Sequence, residues 1–322
     1  MKKLFLCITL VLITISMVFA QRVYVAGSLN GQACYWVDGQ HTPLPGGSTA
    51  SAITVVDGKI YAAGDFTDSN YNSRARFWID GVMTDLHPST AASSSARGIA
   101  VEAGKIYIIG SYQDRNGNSR ACYWIDGTRA DFPAGTATSG IDVIVADGKV
   151  YMLTNDSYWI DGRRNRLSVS DGGTLYLSAF FIENGRVYVT GASDSTGHEG
   201  IRLINGYYWI DTTRHNLGYG FSPNNIFVAN GMIHIVGEDV SSGFSSTQGQ
   251  YYLNGDFYDP PPYPRGTTVT SISKTIVIGR TLYITGVYAQ DMFNWRSCYW
   301  IGDRRFDLPD GAYVYDMTVI TE

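Results

Sequence analysis

The chain has 322 residues, of which 44% are hydrophobic, 13% aromatic and only 16% charged, with a formal net charge of −5. Too few lysine, arginine and glutamate residues are present for a helical bundle or a coiled coil, and too many large apolar side chains for a disordered chain. The 36 glycines have no three-residue period, which excludes collagen, so the composition predicts a turn-rich, aromatic-rich β protein.

Residues 1–20 have the pattern of a secretory signal peptide. Two lysines precede an apolar run from Leu4 to Met17, and Val18-Phe19-Ala20 offers a cleavage site. We therefore expect a mature chain that begins near Gln21, is secreted, periplasmic or on the cell surface, and has no transmembrane span. A retained N-terminal anchor is the alternative, although the apolar run is shorter than the roughly 20 residues that a spanning helix needs.

The charge of the mature chain disfavours nucleic acid as a partner. Without the signal peptide, 22 basic side chains remain against 29 acidic ones. Binding to a phosphate backbone depends on a basic surface, so we expect no nucleic-acid partner. We also expect the protein to be a monomer.

The cysteines of the mature chain follow a pattern that disfavours disulfides. Cys34, Cys122 and Cys298 each lie two residues before a tryptophan, at the same place in three similar segments. A disulfide needs Cα atoms within about 7 Å, which equivalent positions in separate units rarely meet. We interpret these cysteines as small buried apolar residues.

A short phrase recurs along the chain and dominates its pattern. It joins a turn pair such as Asp57-Gly58 to an apolar strand centred on a tyrosine, and most copies end on a glycine such as Gly64. The copies are spaced by about 43 residues, the length of a four-stranded propeller blade. The central residues of the seven copies are Tyr24, Tyr61, Tyr107, Tyr151, Tyr188, His234 and Tyr283.

A second phrase, Tyr-Trp-Ile-Asp-Gly in its fullest form, follows the first in each unit. Adjacent side chains of a strand point to opposite faces, so a Tyr-Trp pair requires a sheet buried on both faces, as stacked blades provide. Because the pair recurs in every unit, we interpret it as blade packing rather than a cofactor site. The second residue of the pair is Trp36, Trp78, Trp124, Trp159, Trp209, Tyr252 or Trp300.

These phrases divide each unit into four strands. In the second unit we predict strands over 52–56, 59–64, 75–79 and 82–86, because Asp-Gly is a favoured two-residue hairpin turn. The first unit lacks its innermost strand, and the chain ends with a spare one over 313–320. The last strand should complete the first blade, so we predict residues 21–322 to be one all-β domain, a closed seven-bladed β-propeller.

The units resemble the repeats of kelch-type propellers over nearly all of residues 22–322. The glycine that ends the second strand and the tryptophan of the third strand carry this resemblance, whereas the double glycine of kelch repeats is absent. The chain looks like an exported bacterial propeller of this kind. The resemblance implies the fold, and fold alone does not imply a function.

One face of the predicted disc is richer in loops than the other. Tight Asp-Gly turns occupy one face, and the longer connections between strands two and three and between blades lie together on the other. We expect a site on that long-loop face, around the mouth of the central channel. Blade four has almost no loop between strands two and three, so we expect a groove open over blade four and walled by blades five to seven.

Equivalent positions of the seven inner strands can be found by counting back from each hairpin. Three carry the small residues alanine or glycine, and four carry larger polar residues: Asp142, Asn225, Lys274 and Asp316. We predict that these four line a polar ligand pocket at the channel mouth. A hydrated channel with an ion pair between blades, Lys274 to Asp316, is the alternative. The seven positions, which we name the channel positions, are Ala52, Gly98, Asp142, Ala179, Asn225, Lys274 and Asp316.

Trp295 is the tryptophan that lies outside the third-strand position. With Tyr288 and Phe293 it could form an exposed platform for a sugar ring or a peptide, and loop packing is the alternative.

Two loops alternate oxygen-bearing side chains in a way that calcium sites also do. These are 68–74 and 114–120, which lack the distal glutamate of an EF-hand. Asx turns explain the same pattern, so Ca²⁺ is a secondary hypothesis, and we predict no other cofactor and no metal site.

The sequence offers no recognisable catalytic set, since it lacks a Gly-x-Ser-x-Gly elbow, a His-Glu-x-x-His motif and paired metal-binding cysteines. The leading hypothesis is therefore a non-enzymatic binding module that presents its long-loop face to a protein or a glycan. The alternative is a glycan-acting hydrolase or lyase at the channel mouth, with Asp142 and Asp316 as its acid–base pair. A purely structural envelope component is the third possibility.

Overall fold

A computed structural model of the chain describes residues 21–196, 202–241, 248–258, 268–289 and 295–321. The predicted signal peptide lies outside these residues. Within them, 28 strands form seven antiparallel sheets of four strands. In chain order the strands are β1 (Gln21–Leu29), β2 (Gln32–Val37), β3 (Gln40–Pro43), β4 (Thr49–Val56), β5 (Lys59–Thr67), β6 (Ser73–Ile79), β7 (Val82–Asp85), β8 (Ala91–Glu102), β9 (Lys105–Asp114), β10 (Ser119–Ile125), β11 (Thr128–Asp131), β12 (Gly140–Ala146), β13 (Lys149–Thr154), β14 (Ser157–Ile160), β15 (Arg163–Arg166), β16 (Thr174–Glu183), β17 (Arg186–Thr196), β18 (Arg202–Ile210), β19 (Thr213–Tyr219), β20 (Phe221–Ala229), β21 (Met232–Asp239), β22 (Gln248–Leu253), β23 (Asp256–Tyr258), β24 (Thr268–Ile278), β25 (Thr281–Ala289), β26 (Trp295–Ile301), β27 (Arg304–Asp307) and β28 (Ala312–Thr321).

The sheets are the blades of a closed ring, as predicted. The strands β4, β8, β12, β16, β20, β24 and β28 are the inner strands, and each contacts the inner strand of the next blade, with β28 against β4. The C-terminal β28 pairs with β1, so the order in the first blade is β28-β1-β2-β3. This pairing removes the open edge that β1 would otherwise present.

The hairpin turns adopt the conformation that their sequence favours. Asp57 and Gly58 have φ of 51° and 74°, and both values are positive, as a type I′ turn requires. The aspartate of the second phrase has a further role, because the Asp80 carboxylate accepts a hydrogen bond from the Ile60 amide at 2.9 Å. The same contact recurs in five other blades, through Asp38, Asp126, Asp161, Asp211 and Asn254.

The Tyr-Trp pairs hold neighbouring blades together. The first residue of each pair shares an apolar cluster with the second residue of the pair in the next blade; for example, Phe77 of blade two clusters with Trp124 of blade three. At the closure, Tyr299 of blade seven clusters with Trp36 of blade one. Both faces of each sheet are therefore buried, as predicted. The three cysteines are buried as free thiols in separate blades, and burial raises the pKa of Cys34 and Cys122 to about 12.

Each inner strand contains a β-bulge immediately before its channel position. In β4, for example, Ala50 pairs with Gly64 and Ala52 with Ala63, which leaves Ser51 unpaired. Bulges occur between the corresponding residues of the other six inner strands. We name the unpaired residues the bulge positions, and they are Ser51, Arg97, Ile141, Ser178, Asn224, Ser273 and Tyr315.

The repeated glycine at the end of the second strand makes room for this bulge. A Cβ atom on Gly110 would lie 1.9 Å from the Ser95 carbonyl oxygen of the inner strand. The glycines of blades one, two, five, six and seven meet an equivalent carbonyl at 1.9 to 2.5 Å. In blade four Thr154 occupies the position of this glycine. It pairs with Gly140, the first residue of β12.

We predict that Gly110→Ala lowers the free energy of unfolding by about 2–3 kcal/mol, because the new methyl group must displace a backbone carbonyl. Gly104→Ala in the same blade is the matched control: Gly104 has φ of 76° but open space around it, so only backbone strain of about 1 kcal/mol applies. Urea unfolding of both variants measures the difference. Equal losses would contradict the close approach.

Candidate functional site

The seven inner strands end in a ring of hydroxyl groups on the long-loop face. Three residues before each channel position, the side chain carries a hydroxyl in every blade, and in every case it is partly or fully exposed. We name these the rim positions, and they are Thr49, Ser95, Ser139, Tyr176, Ser222, Ser271 and Tyr313. Packing in the core does not require exposed side chains to carry a hydroxyl group. The repeated hydroxyls are therefore a feature of the channel mouth rather than of the blade core.

A polar cavity of about 460 Å³ opens within this ring, across blades one to four. Its wall includes the rim residues of blades two to four and the bulge residues of blades one to four. Because the bulge adds one residue to the strand, it aims that residue's side chain into the mouth. Arg97 and Tyr315 enter the cavity in this way, and Asp65 faces them from β5.

Asp65 and Arg97 supply opposite charges to the same cavity. Burial raises the pKa of Asp65 above its usual value, while the Ser73 hydroxyl and the Arg97 charge act in the opposite direction. The guanidinium of Arg97 is exposed and remains available as a donor of several hydrogen bonds. The cavity therefore offers a carboxylate acceptor, a guanidinium donor, several hydroxyls and one aromatic ring.

The channel positions that the sequence singled out lie deeper and contact the next blade. Asp316 Oδ2 accepts a hydrogen bond from the Ile53 amide at 2.9 Å, and Asp316 Oδ1 lies 3.0 Å from Lys274 Nζ. Asn225 Oδ1 accepts one from the Thr275 amide at 3.1 Å. Both amides belong to the residue that follows the channel position of the neighbouring blade, so these side chains join blades.

Asp142 also accepts a hydrogen bond from the amide that follows a channel position, but this amide belongs to its own blade. Its Oδ1 accepts a hydrogen bond from the Val143 amide at 2.8 Å. The preceding blade has Gly98 at its channel position, and a Cβ there would lie 2.7 Å from Asp142 Oδ1. The lack of a side chain at Gly98 therefore leaves space for the Asp142 carboxylate.

Three charged channel residues influence one another across the ring. Burial raises the pKa of Asp142 to about 6, with Lys274 opposing the rise and Asp316 adding to it. Burial alone would lower the pKa of Lys274, but the charges of Asp316 and Asp142 outweigh it and the net shift is upward. Asp142, Lys274 and Asp316 thus form one electrostatic group, which Asn225 does not join. The ion pair between blades that the sequence offered as an alternative is present.

Trp295 lies in a separate cleft at the seam between blades seven and one. Its side chain is 58% exposed, whereas Tyr288, the predicted partner in an aromatic platform, is only 1% exposed. The platform with Tyr288 is therefore wrong, because that ring is buried beneath Arg305, whose guanidinium carbon lies 4.1 Å from its centroid. Phe293 lies outside the described residues. Tyr313, 61% exposed, lines the cleft with Trp295 instead.

The two loops considered for Ca²⁺ direct their carboxylates inward. Asp68 accepts hydrogen bonds from the amides of Asn70 and Asn72 and pairs with Arg74 at 3.1 Å, as an Asx turn does. Asp114 accepts from the amides of Asn116 and Asn118 in the same way. Among the residues described here, no three His, Cys, Asp or Glu side chains are grouped as a metal site would require.

The repeat pattern of the sequence indicates the channel positions but not the residues that line the cavity. Arg97 and Tyr315 lie one residue before the channel positions. At this preceding position three of the seven blades carry serine, and Arg97 and Tyr315 stand out as the largest side chains, a signal that the sequence contains. The short connection of blade four is confirmed, with β13 ending at Thr154 and β14 beginning at Ser157. The expected walls on blades five to seven depend on loop residues outside the described ranges.

Together these features define a seven-bladed β-propeller with a polar cavity at one end of its channel. No protein-family model matches the sequence, and no curated protein sequence matches it. Among solved structures, the β-propeller domain of the Trilobed protease from Pyrococcus furiosus, described as having an open velcro topology, is 10% identical with a TM-score of 0.50, over 90% of this chain and 92% of that one. At this identity the similarity shows the fold alone.

Two further similar structures are extracellular or viral proteins. The extracellular domain of a one-component system protein from B. thetaiotaomicron is 11% identical with a TM-score of 0.48, and this chain covers only 46% of that domain's length with 91% of its own. The phage phi92 endosialidase is 11% identical with a TM-score of 0.44, over 88% of this chain and 57% of that one. In the described part of the chain, no helix has the length and apolarity to cross a bilayer.

We predict that Asp316→Ala lowers the free energy of unfolding by about 2–4 kcal/mol, because it leaves both the Ile53 amide and Lys274 without their partner. Asp316→Asn keeps the acceptor for the amide and should cost less. Adding Lys274→Met to Asp316→Asn removes the stranded charge and should recover part of the loss. Chemical unfolding of the three variants measures these differences, and equal losses for alanine and asparagine would contradict the inter-blade hydrogen bond.

We also predict that Asp142→Asn raises the free energy of unfolding by an amount that depends on pH. The folded protein holds the Asp142 proton up to about pH 6, whereas an unfolded chain releases it near the usual value of 3.8, so ionisation destabilises the folded state as the pH rises between these values. Asp142→Asn should therefore match the wild type at pH 4 and exceed its stability by roughly 1–3 kcal/mol at pH 7. Thermal unfolding across pH 4–8 tests this, with Asp147→Asn in an exposed turn as the control. A difference that stays constant with pH would contradict the raised pKa.

Proposed function

We propose that the protein is an exported, kelch-like propeller that binds a glycan at the mouth of its long-loop face without transforming it. The observation that carries this proposal is the ring of rim positions, which bears a hydroxyl group in all seven blades. A hydroxyl can both donate and accept hydrogen bonds, so a ring of them complements a ligand whose own groups are mostly hydroxyls.

The cavity within the ring has the size and chemistry that such a ligand needs. Its volume of about 460 Å³ falls within the roughly 300–1,000 Å³ range of small-ligand sites. Asp65 can accept and Arg97 can donate pairs of hydrogen bonds to neighbouring sugar hydroxyls, and the ring of Tyr315, 45% exposed, offers an apolar face. These groups give the ligand an orientation as well as affinity.

A glycan fits this mouth better than a folded protein does. Stable protein interfaces have an apolar, desolvated centre of aromatic and aliphatic side chains. Ser51, Ser95 and Ser139 occupy that place in the cavity, with Ile141 and Tyr315 as its large apolar members among the described residues. The closed ring also leaves no free strand edge at β1 to pair with a second chain, which supports a monomer. The acidic mature chain supports the absence of a nucleic-acid partner.

A glycan-acting hydrolase or lyase is the second candidate, and one observation favours it. The pKa of Asp142 at about 6 would let its carboxyl act as a proton donor near neutral pH. The other proposed member of the pair, Asp316, is engaged by Lys274 and the Ile53 amide, so it is not available as a base. Binding without catalysis is therefore the better supported function.

The test compares glycan binding of the wild type with that of matched variants. We expect the wild type to bind members of an immobilised panel of neutral and acidic polysaccharides, and Arg97→Gln and Tyr315→Ala to weaken binding by about tenfold or more, the equivalent of one lost good contact. Lys105→Gln is the control, because it removes a cation from the same blade on the tight-turn face.

Three results would overturn this proposal. If Lys105→Gln weakens binding as much as Arg97→Gln, binding follows overall charge rather than the mouth. If bound glycans are cleaved, so that new reducing ends or unsaturated products accumulate and Asp142→Asn abolishes them, the protein is an enzyme. Binding to a peptide panel with no glycan bound would place a protein ligand at the same mouth.

A further inference from the structure

One tryptophan departs from the packing role of the others. Six tryptophans are buried in the third strands, each at most 3% exposed, whereas Trp295 at the start of β26 is 58% exposed. The blade does not need this indole for its packing, since β26 already places Tyr299 and Trp300 in the two apolar clusters on either side. A ring with this exposure presents an apolar face to solvent, where a ligand can reach it.

The indole lines a cleft with a second exposed aromatic ring. The cleft has a volume of about 520 Å³ and lies at the seam of blades seven and one, between Trp295 and Tyr313. Ser271, Ser297 and the backbone of Gly311 complete its polar wall, and no charged side chain is among its described lining residues. Such a cleft fits an uncharged ligand with an apolar face and hydroxyl groups along its edges.

The cleft and the mouth cavity are lined by nearby residues of one strand. Tyr313 and Tyr315 are separated by a single residue of β28; the first lines the cleft and the second lines the cavity. Two residues of a strand span about 6–7 Å, which is close to the length of one sugar unit and its linkage. A chain that leaves the cavity past Tyr315 therefore reaches Tyr313 within one unit.

We propose that this cleft is a second subsite, in which one sugar unit of a linear, neutral oligosaccharide stacks against Trp295 and Tyr313 while an adjoining unit occupies the mouth cavity. This inference rests on the proposed function and extends it, because it specifies a ligand of at least two linked units. The Ser271 hydroxyl donates to Glu238, so its oxygen is left to accept a hydrogen bond from the edge of the stacked unit beside the Gly311 backbone, and the two rings select the flat apolar face. Ser297 is 2% exposed and donates to the Ala312 carbonyl, so it supports the wall of the cleft rather than the ligand.

The experiment measures affinity as a function of chain length. Cello-, laminari-, malto- and manno-oligosaccharides of one to six units are titrated by calorimetry, and the change in tryptophan fluorescence is followed in parallel. We expect affinity to rise by about tenfold or more from one unit to three, as one added stacking contact would give. We expect a fluorescence change for the longer chains alone, which Trp295→Phe reduces.

Matched variants separate the two subsites. Trp295→Ala, which removes a ring that lines the cleft alone, should lose the gain with chain length while keeping the affinity for a single unit, whereas Tyr315→Ala should weaken binding at every length. Tyr71→Ala is the control, since Tyr71 is 90% exposed at a loop of blade two and lines neither cavity.

The possible failures are distinct. If single units and longer chains bind equally, or if Trp295→Ala keeps the gain with length, the second subsite is wrong and the mouth site stands. If none of these neutral oligosaccharides binds the wild type at any length, the second subsite is wrong, and the polysaccharide panel decides separately whether the mouth binds a glycan. If Tyr71→Ala removes the gain as Trp295→Ala does, the effect is not local to the cleft and the second subsite is wrong.

Discussion

The bulge in each inner strand joins the packing of the blades to the shape of the mouth. It requires the second strand to approach closely, which glycine permits in six blades, and it leaves one residue of the inner strand outside the ladder. In blades one to four that residue lines the mouth cavity, while the channel residue that follows it can contact the neighbouring blade, as Asp316 does. In these blades a single backbone irregularity therefore separates residues that contact the next blade from residues that can meet a ligand.

Polar channel residues form contacts between blades. Asp316 and Asn225 were conspicuous because they interrupt a run of small residues, and each satisfies a backbone amide of the next blade. Leaving such a buried amide without an acceptor is costly, so a polar side chain there needs no ligand to explain it. The Lys274–Asp316 pair lies where β28 meets blade seven, and it adds a charged contact to the closure of the ring.

The mouth cavity and the cleft between blades seven and one differ from the channel positions in the exposure of their side chains. Their aromatic rings are exposed, with Trp295 at 58%, Tyr313 at 61% and Tyr315 at 45%, in contrast to the six buried tryptophans of the third strands. A regular scaffold with a few unconstrained positions at one end can change ligands without changing its fold. This explains why similarity of fold to distant propellers, at 10% identity for the most complete match described above, leaves the ligand to be argued from the site.

The sequence by itself determined the seven units, the Asp-Gly turns, the Tyr-Trp packing and the closure by the last strand, because each depends on local chemistry repeated at a fixed spacing. It also placed Lys274 and Asp316 in neighbouring blades. Only the tertiary structure decided which side chains face the mouth, since a one-residue bulge reverses the alternation on which any count from the hairpin depends. Arg97 and Tyr315 are therefore identified as cavity residues only in the folded ring. Tyr313, rather than Tyr288, lies beside Trp295 because this contact joins residues from different blades.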